Sequence, residues 1–269
     1  MSVDTPQGRT YDTTNLNRDA AGRLQLGGLP VGVFRNLATL LFVLAVPAAL
    51  VTTNVRFIAN EPRIYRYAID QFDGVRTTGI QREELLRAGA ELREYFNNSE
   101  ETLAIRVQQN GREVPLFNPR ETAHMKDVKD RFRLMNRVQE FSVVYAITYI
   151  AAVVLWAREV STRGLAMAVA GGCVFSLAAV GAAGALGLAG FDSAWESFHE
   201  VLFSNDFWLL NPATDHLIQM FPPPFWENVV FLIGLLIAAE AALLLLGAVI
   251  YLGVTSHQTR SQRLTPNYA

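Results

Sequence analysis

The sequence lacks several features that mark common classes of protein. It has a single cysteine, Cys173, so it cannot form an intrachain disulfide. Its formal net charge is -2, which gives no reason to expect a nucleic-acid partner. Residues 1–30 contain no apolar run. We therefore expect no cleavable signal peptide.

Four long apolar runs dominate what is present. Each is long enough to cross a bilayer, which takes roughly 20 apolar residues per helix. A soluble protein would show shorter apolar runs interrupted by turns. We expect the four membrane spans to cover residues 33–55, 139–157, 164–190 and 227–254.

The distribution of arginine and lysine predicts the orientation of these spans. Short loops that carry positive charge stay in the cytoplasm, and Arg158 and Arg163 lie between the second and third spans. The stretch between the third and fourth spans has no lysine or arginine. We therefore expect both termini of this multi-pass plasma-membrane protein to be cytoplasmic. The expected cytoplasmic segments are residues 1–32 (a disordered tail), 158–163 and 255–269, and the outer segments are residues 56–138 and 191–226.

The two outer segments differ in composition. In the first, Asn110-Gly111 between two runs of alternating character predicts a β-hairpin over residues 103–117. The second is aromatic and contains Trp208 and Trp226, which is typical of chain that packs against the outer leaflet. We therefore predict an all-α membrane protein with four transmembrane helices and a small extracytoplasmic α/β cap.

A helix should follow the hairpin. Asn118 and the proline after it predict a helix start, and Glu121 stands where a capping-box acid belongs. The predicted helix over residues 119–136 has an apolar stripe on one face. Such a helix favours the membrane interface, so we expect a bend between about 134 and 140, before the second span.

Two histidines, His124 and His199, fall in the two outer segments. Each has an ordinary structural interpretation when it is taken alone, His124 as a surface or capping residue and His199 as part of an aromatic helix face. Taken together, on the same side of the membrane, they indicate proton exchange beside a lipid-like substrate near neutral pH.

A metal site is the alternative for these residues. Glu121 and His124 have the i, i+3 spacing of carboxylate-bridged metal helices, and His199, Asp206 and His216 could add ligands. The sequence has no His-Glu-x-x-His motif and no cysteine pair. We therefore expect neither a metal nor a cofactor.

Glu240 lies near the middle of the fourth apolar run. A charge at that depth costs about 2.5 kcal/mol or more, so a functional role is the default interpretation. The alternative is a protonated carboxyl group bonded to Tyr149, Thr148 or Ser176 at similar depth.

Three motifs make the sequence resemble a known family. They are E-x-x-H-M-x-D-V-K at 121–129, F-H-x-x-x-F-x-N-D-x-W at 198–208 and P-x-x-D at 212–215. The pattern resembles the Lit-type lipoprotein intramolecular transacylases, which are integral membrane proteins of bacteria. The resemblance covers most of the chain. Its motifs lie in two distant segments and occur in the same order as in the family.

The resemblance implies a reaction and a site at the outer leaflet. The sn-2 acyl chain of a diacylglyceryl-cysteine lipoprotein would move to the cysteine α-amino group. His124 and His199 match the family's two motif histidines and would be the catalytic pair. We expect His124 to be the general base and His199 its partner, although the roles could be reversed. The supporting residues would be Glu121, Asp127, Lys129, Asn205, Asp206, Trp208 and Asp215, with Lys129, Asn205 and Trp208 available to the oxyanion.

The implied partners are a diacylglyceryl-modified lipoprotein and membrane lipids, and the oligomeric state is left open. Two functions of other classes compete with the transacylase. One is a non-catalytic membrane scaffold or sensor whose cap binds a partner protein. The other is a proton- or ion-linked transporter that uses Glu240, which four spans with one clear buried charge do not favour.

Overall fold

The computed structural model describes residues 31–155 and 162–264. The expected tail 1–32 and loop 158–163 lie almost wholly outside these residues, and tail 255–269 lies partly outside them. The chain divides into two units at Thr39. Apart from the first turns of helix α1, everything below belongs to the second unit.

In the described part of the chain, four long helices contain stretches that are long and apolar enough to cross a membrane. Many large apolar side chains on them are exposed, as expected where lipid is the solvent. These helices, together with one small hairpin, confirm the predicted fold class. Numbered among all helices in chain order, they are α1 (Val31–Asn60), α5 (Pro119–Leu155), α6 (Thr162–Leu202) and α8 (Pro223–Leu264).

Short elements between α1 and α5 form the cap. The hairpin turn places Asn110 and Gly111 at positive φ, 52° and 73°, which a two-residue turn between antiparallel strands requires. Val107 pairs with Val114 across the hairpin, and the buried Val107 joins a core that also contains Leu85 and Met220. The elements are α2 (Pro62–Gln71), α3 (Gly74–Thr78), α4 (Arg82–Tyr95), β1 (Arg106–Gln109) and β2 (Arg112–Pro115).

Helix α5 is one continuous helix of 37 residues. The prediction of a separate helix 119–136 with a bend between 134 and 140 is therefore wrong, and its position at the membrane interface stays a prediction. The helix has neither proline nor glycine after Pro119, so nothing in it removes a backbone hydrogen bond or kinks the axis. Its uncharged, membrane-spanning part follows Glu140, and His124 stands roughly 25 Å before that part along the axis.

Helix α6 is interrupted at Gly190, where the backbone leaves the helical region (φ 166°, ψ 94°). The chain resumes as helix to Leu202 and carries His199 beyond this break. A short helix, α7 (His216–Met220), follows. Pro223 then begins α8, at the position where proline costs no helical hydrogen bond.

Polar and small residues join the membrane spans. A Cβ atom on Gly172 of α6 would lie 2.7 Å from the Cβ of Val46 on α1, so only glycine permits this approach of the two helices. The Glu240 carboxylate accepts a 2.7 Å hydrogen bond from the Asn54 side chain. The partner of Glu240 is thus Asn54 on α1, whereas Ser176, an expected partner, donates to a carbonyl oxygen of its own helix.

Candidate active site

The two histidines from distant parts of the chain lie together. The ring centroids of His124 on α5 and His199 on α6 are 6.0 Å apart. The exposed fractions are only 7% for His124 and 8% for His199. The two imidazoles are thus a pair of polar groups with little access to water, although the helices that carry them have many charged residues.

Aromatic rings surround this pair. Trp195 meets the His199 ring edge to face at 4.7 Å between centroids, and Trp208 stacks on it at 5.0 Å. Phe203 contacts both imidazoles, at 5.3 Å from His124 and 5.8 Å from His199. We call these three residues the aromatic box. Its rings replace water around the histidines, and that lowers the local polarity.

A backbone bond fixes the hydrogen on the His199 ring. Its Nδ1 atom lies 2.7 Å from the carbonyl oxygen of Trp195. A carbonyl oxygen only accepts hydrogen bonds, so Nδ1 carries the hydrogen and donates it. In the neutral ring, Nε2 therefore holds the lone pair, and His199 is oriented as a proton acceptor.

His124 has no such anchor on its ring. Its Nδ1 atom is buried and has no hydrogen-bond partner among the described residues. Burial and then the charge of His199 lower the pKa of His124 to about 4, although Asp127 opposes this. Burial also lowers the pKa of His199, and the bond to Trp195 offsets part of that effect. Both rings are thus neutral near pH 7.

Glu121 links the two segments that carry the histidines. It is 1% exposed, and one carboxylate oxygen accepts from the backbone N–H of Asn118 at 2.7 Å, as a capping box requires. The other oxygen accepts from the N–H of Leu217 at 2.6 Å. Burial raises the pKa of Glu121 despite these two bonds. The carboxylate therefore caps α5 and holds α7 against it.

Asp215 extends this junction. Its carboxylate accepts a 3.0 Å bond from the Asn118 side chain and a 2.8 Å bond from the backbone of Asn211. Asp215 is itself buried, with an exposed fraction of 7%. The two acids, Glu121 and Asp215, thus serve to join α5 to the chain beyond α6.

Two further bridges lie between α5 and the loop after α6. The Asn205 amide donates to Asp127 at 2.8 Å. Arg120 donates to the carbonyl oxygen of Asp206 at 2.5 Å, and the Asp206 carboxylate is 3.6 Å from the same guanidinium. These bonds hold the loop that supplies Trp208 to the aromatic box.

Lys129 is placed differently from what the sequence indicates. It is 1% exposed, and its ammonium donates to the Asn98 side chain at 2.7 Å and to the carbonyl oxygen of Glu100 at 2.6 Å. The Tyr95 ring lies 3.9 Å from the same nitrogen. The expectation that Lys129 serves the oxyanion is therefore wrong, because its ammonium is committed to the cap.

The carboxylates do not converge on the histidines as metal ligands would. The Glu-x-x-His spacing recurs at Glu196 and His199, a repeat that the reading of the sequence missed, but Glu196 is exposed. Both oxygens of Glu121 accept from backbone N–H groups. Among the residues that the structure describes, no group of three or more His, Cys, Asp or Glu could hold a metal ion.

The sequence-based prediction also missed Phe203, which among the described residues is the one aromatic ring that contacts both histidines. The signal was present, because Phe203 follows His199 by four residues, which is the spacing of neighbours on one helix face. Phe203 directly follows the last residue of α6, and its N–H still donates to the carbonyl oxygen of His199. The unpartnered nitrogen of His124 had no signal in the sequence, since it depends on the packing of distant segments.

Comparisons with known proteins concern the fold and the family of this chain. A search of curated proteins gives no match. The fold is similar to a structure described as the membrane integral lipoprotein intramolecular transacylase Lit from Bacillus cereus, at 18% identity and a TM-score of 0.68, covering 87% of this chain and 100% of that chain. Structures of the same protein with a histidine changed to arginine or to alanine match with TM-scores of 0.66 and 0.66, at 18% identity, covering 85% and 84% of this chain and 96% and 97% of theirs.

A family model provides the assignment that fold similarity alone does not. The model described as lipoprotein intramolecular transacylase Lit matches residues 40–226. The matched range contains both histidines, the aromatic box and the buried acids. It also contains three of the four membrane helices, of which α1 is matched in part. The chain therefore belongs to the lipoprotein intramolecular transacylase (Lit) family.

Proposed function

We propose that this protein transfers the sn-2 O-acyl chain of a diacylglyceryl-cysteine lipoprotein to the α-amino group of the same cysteine. The product is a lyso-form lipoprotein with one N-acyl and one O-acyl chain. The observation that carries the proposal is the buried pair of neutral histidines, His124 and His199, within the aromatic box. Family membership supports the same reaction.

His199 acts as the general base. As the α-amino nitrogen attacks the ester carbonyl, it becomes acidic and passes its proton to a group whose lone pair is already oriented. The Trp195 carbonyl oxygen holds the hydrogen of His199 on Nδ1, which leaves Nε2 to accept. This reverses the sequence-based assignment of the base to His124, whose pKa of about 4 makes it a weaker acceptor.

His124 acts as the electrophilic partner. A neutral imidazole donates one hydrogen bond, and it can stabilise the negative charge that develops on the carbonyl oxygen. Asn205 has a second amide hydrogen beyond the one given to Asp127, and the Trp208 indole N–H is a further donor. When the tetrahedral intermediate collapses, the glycerol oxygen leaves and takes the proton from the His199 imidazolium.

The atoms of this reaction balance without a second substrate. One ester bond breaks, one amide bond forms, and the proton moves from nitrogen to the glycerol oxygen through His199. Nucleophile and ester belong to one molecule, so holding the headgroup folded supplies much of the acceleration. This chemistry needs no nucleophilic side chain of the enzyme.

The proposed membrane arrangement follows from the charge distribution. Both termini face the cytoplasm, and the cap and the site lie at the outer leaflet, where the diacylglyceryl group of the lipoprotein is anchored. The absence of lysine and arginine from residues 191–226 supports this orientation. The domain boundaries proposed from the sequence place His124 and His199 in the two outer segments.

Mass spectrometry of a lipoprotein's N-terminal lipopeptide tests the proposal. Cells with the wild-type protein should yield the N-acyl, mono-O-acyl form. Cells without it, or with His124→Ala or His199→Ala, should retain the diacylglyceryl form. If the lipopeptides stay diacylglyceryl in every strain despite good expression of the protein, the transacylase proposal fails. The scaffold or sensor function would then replace it.

A further inference from the structure

Arg131 lies on the same face of α5 as His124. It follows His124 by seven residues, which is two helical turns, or roughly 10 Å along the axis. The displacement is toward the membrane-spanning part of the helix. Arg131 therefore stands between the histidine pair and the depth at which acyl chains begin.

The Arg131 side chain contacts the wall of the aromatic box. Its guanidinium carbon lies 6.0 Å from the centroid of the Phe203 ring, within the range of a cation–π contact. The same ring contacts both His124 and His199. A single phenyl ring thus separates this exposed cation from the catalytic pair.

Other cations near His124 on α5 are already bound. Arg120 donates to Asp206, and Lys129 donates to Asn98 and Glu100. Lys126 and Arg133 pair with Glu101 and Asp130.

Arg131 is the exception among these cations. Asp127, one turn before Arg131, accepts from Asn205 instead. Within the described residues, no hydrogen bond or ion pair to Arg131 is found, and its side chain is exposed.

We propose that Arg131 binds the carbonyl oxygen of the ester that stays on the glycerol during acyl transfer. The proposal rests on the transacylase function and names a substrate contact within it. A guanidinium offers five N–H donors in one plane and stays charged at any relevant pH. The Phe203 ring lies between the guanidinium and the two imidazoles, so Arg131 is separated from the carbonyl that reacts there. The retained ester is on the glycerol carbon next to the reacting one, so its carbonyl oxygen can meet Arg131 on one side of the Phe203 ring while the other ester lies at the histidines.

The experiment pairs variants with two substrates. One is a diacylglyceryl lipopeptide. The other carries an alkyl ether in place of the retained ester, so that the chain stays and the carbonyl is lost. Arg131→Ala is compared with Arg137→Ala, the matched control. Arg137 is also an exposed arginine without a partner among the described residues, six residues further along α5 and on a different face. Arg131→Gln, which keeps most of the side-chain length, is the second variant.

With the ester substrate, Arg131→Ala and Arg131→Gln should raise KM about tenfold, the value of one good hydrogen bond to a charged group. The kcat should change less than about threefold, because the contact is present before and during the reaction. With the ether substrate, both variants should match the wild type, since the partner oxygen is gone. Arg137→Ala should match the wild type with both substrates.

Three outcomes would overturn the assignment. The first is an equal loss with ester and ether substrates, and the second is a fall in kcat alone. The third is an Arg131 effect that appears in vesicles of anionic phospholipid but not in zwitterionic vesicles, because the ligand would then be an anionic lipid headgroup. If the wild-type protein were inactive on both substrates, the proposed function would fail, and this assignment with it.

Discussion

His124 projects from a helix end that is tied down by buried charged groups, whereas His199 lies in a segment built from aromatic rings. On the His124 side, Glu121 accepts two backbone N–H bonds, and Lys129 donates two bonds into the cap. On the His199 side, Trp195 and Trp208 pack against the imidazole itself. His124 is thus positioned mainly through the helix that carries it, whereas His199 is positioned through contacts to its own ring.

This difference matches what each residue does in the proposed reaction. A proton acceptor must present one nitrogen in a fixed direction, and the Trp195 carbonyl oxygen holds the His199 ring in that way. The His124 ring has a nitrogen without a partner, which is a costly state for a buried polar atom. This buried Nδ1 is closed to a substrate, so we expect His124 to donate to a substrate oxygen through its other ring nitrogen, Nε2.

The largest expected effect on kcat comes from replacing the His199 imidazole by an amide. The same replacement at His124 provides the comparison. His199→Gln should lower kcat by about 10²- to 10⁴-fold, because an amide is not a base. His124→Gln should lose about tenfold or less, since glutamine keeps an N–H donor near the position of Nε2. Steady-state kinetics of the two purified variants with a diacylglyceryl lipopeptide measures the difference.

His216→Gln is the matched control for this pair. His216 binds the Gln219 side chain at 2.8 Å and does not belong to the aromatic box, so its replacement should leave kcat unchanged. A larger loss for His124→Gln than for His199→Gln would assign the base to His124 and reverse the roles.

The pH dependence of stability should differ between the wild type and His124→Gln. The pKa of His124 is about 4 when folded and about 6.5 when unfolded. Between these values the unfolded chain binds more protons, so the free energy of unfolding falls as the pH falls from about 6.5 to 4. The full loss is roughly 3 kcal/mol. Thermal unfolding in detergent at a series of pH values measures it.

In His124→Gln this part of the acid destabilisation should disappear, while the contributions of His199 and Glu121 remain. The carboxyl group of Glu121 has a raised pKa, so its protonation in acid opposes the trend and does not cause it. An equal slope in the two proteins would mean that His124 is not held neutral by burial.

The smallest of the three effects concerns the polar junction. Glu121→Ala removes the acceptor of two N–H groups, including that of the buried Leu217, and should cost about 2 kcal/mol. Glu121→Gln keeps one acceptor oxygen and should cost less. Thermal unfolding measures both. Glu113→Ala on the exposed hairpin strand is the control and should cost under about 0.5 kcal/mol.

If Glu121→Ala lowers activity far more than stability, the carboxyl group would have a role in the reaction itself. The contrast between the two sides of the site would then be weaker than the structure indicates. If it lowers stability with little change in kcat, the polar side of the site serves only to position His124.

Periodic patterns explain why much of the fold could be predicted. The four spans follow from uninterrupted apolar runs, and the hairpin follows from Asn110-Gly111, because both signals are local. The prediction of a bend in α5 was wrong because its signal was of a different kind. An amphipathic stripe shows which face of a helix is apolar, but it does not show where the axis turns.

The site was less accessible to sequence reasoning because it depends on contacts between distant segments. Family resemblance suggested that His124 and His199 act together, but their burial and the bond to Trp195 come from the fold. Lys129 was misjudged because a lysine can be buried only where partners such as Asn98 and Glu100 meet it. Nothing in the local sequence around Lys129 indicates those partners.

The aromatic box also bears on how faithfully the acyl chain is delivered. An activated ester beside a base can react with any nucleophile, and water is the most abundant competitor. Trp195, Phe203 and Trp208 surround the two histidines, which are less than a tenth exposed. Little water can therefore compete with the amine for the ester. In the proposed reaction these rings would therefore set the ratio of N-acylated product to released free fatty acid, and smaller side chains there would turn a transferase toward an esterase.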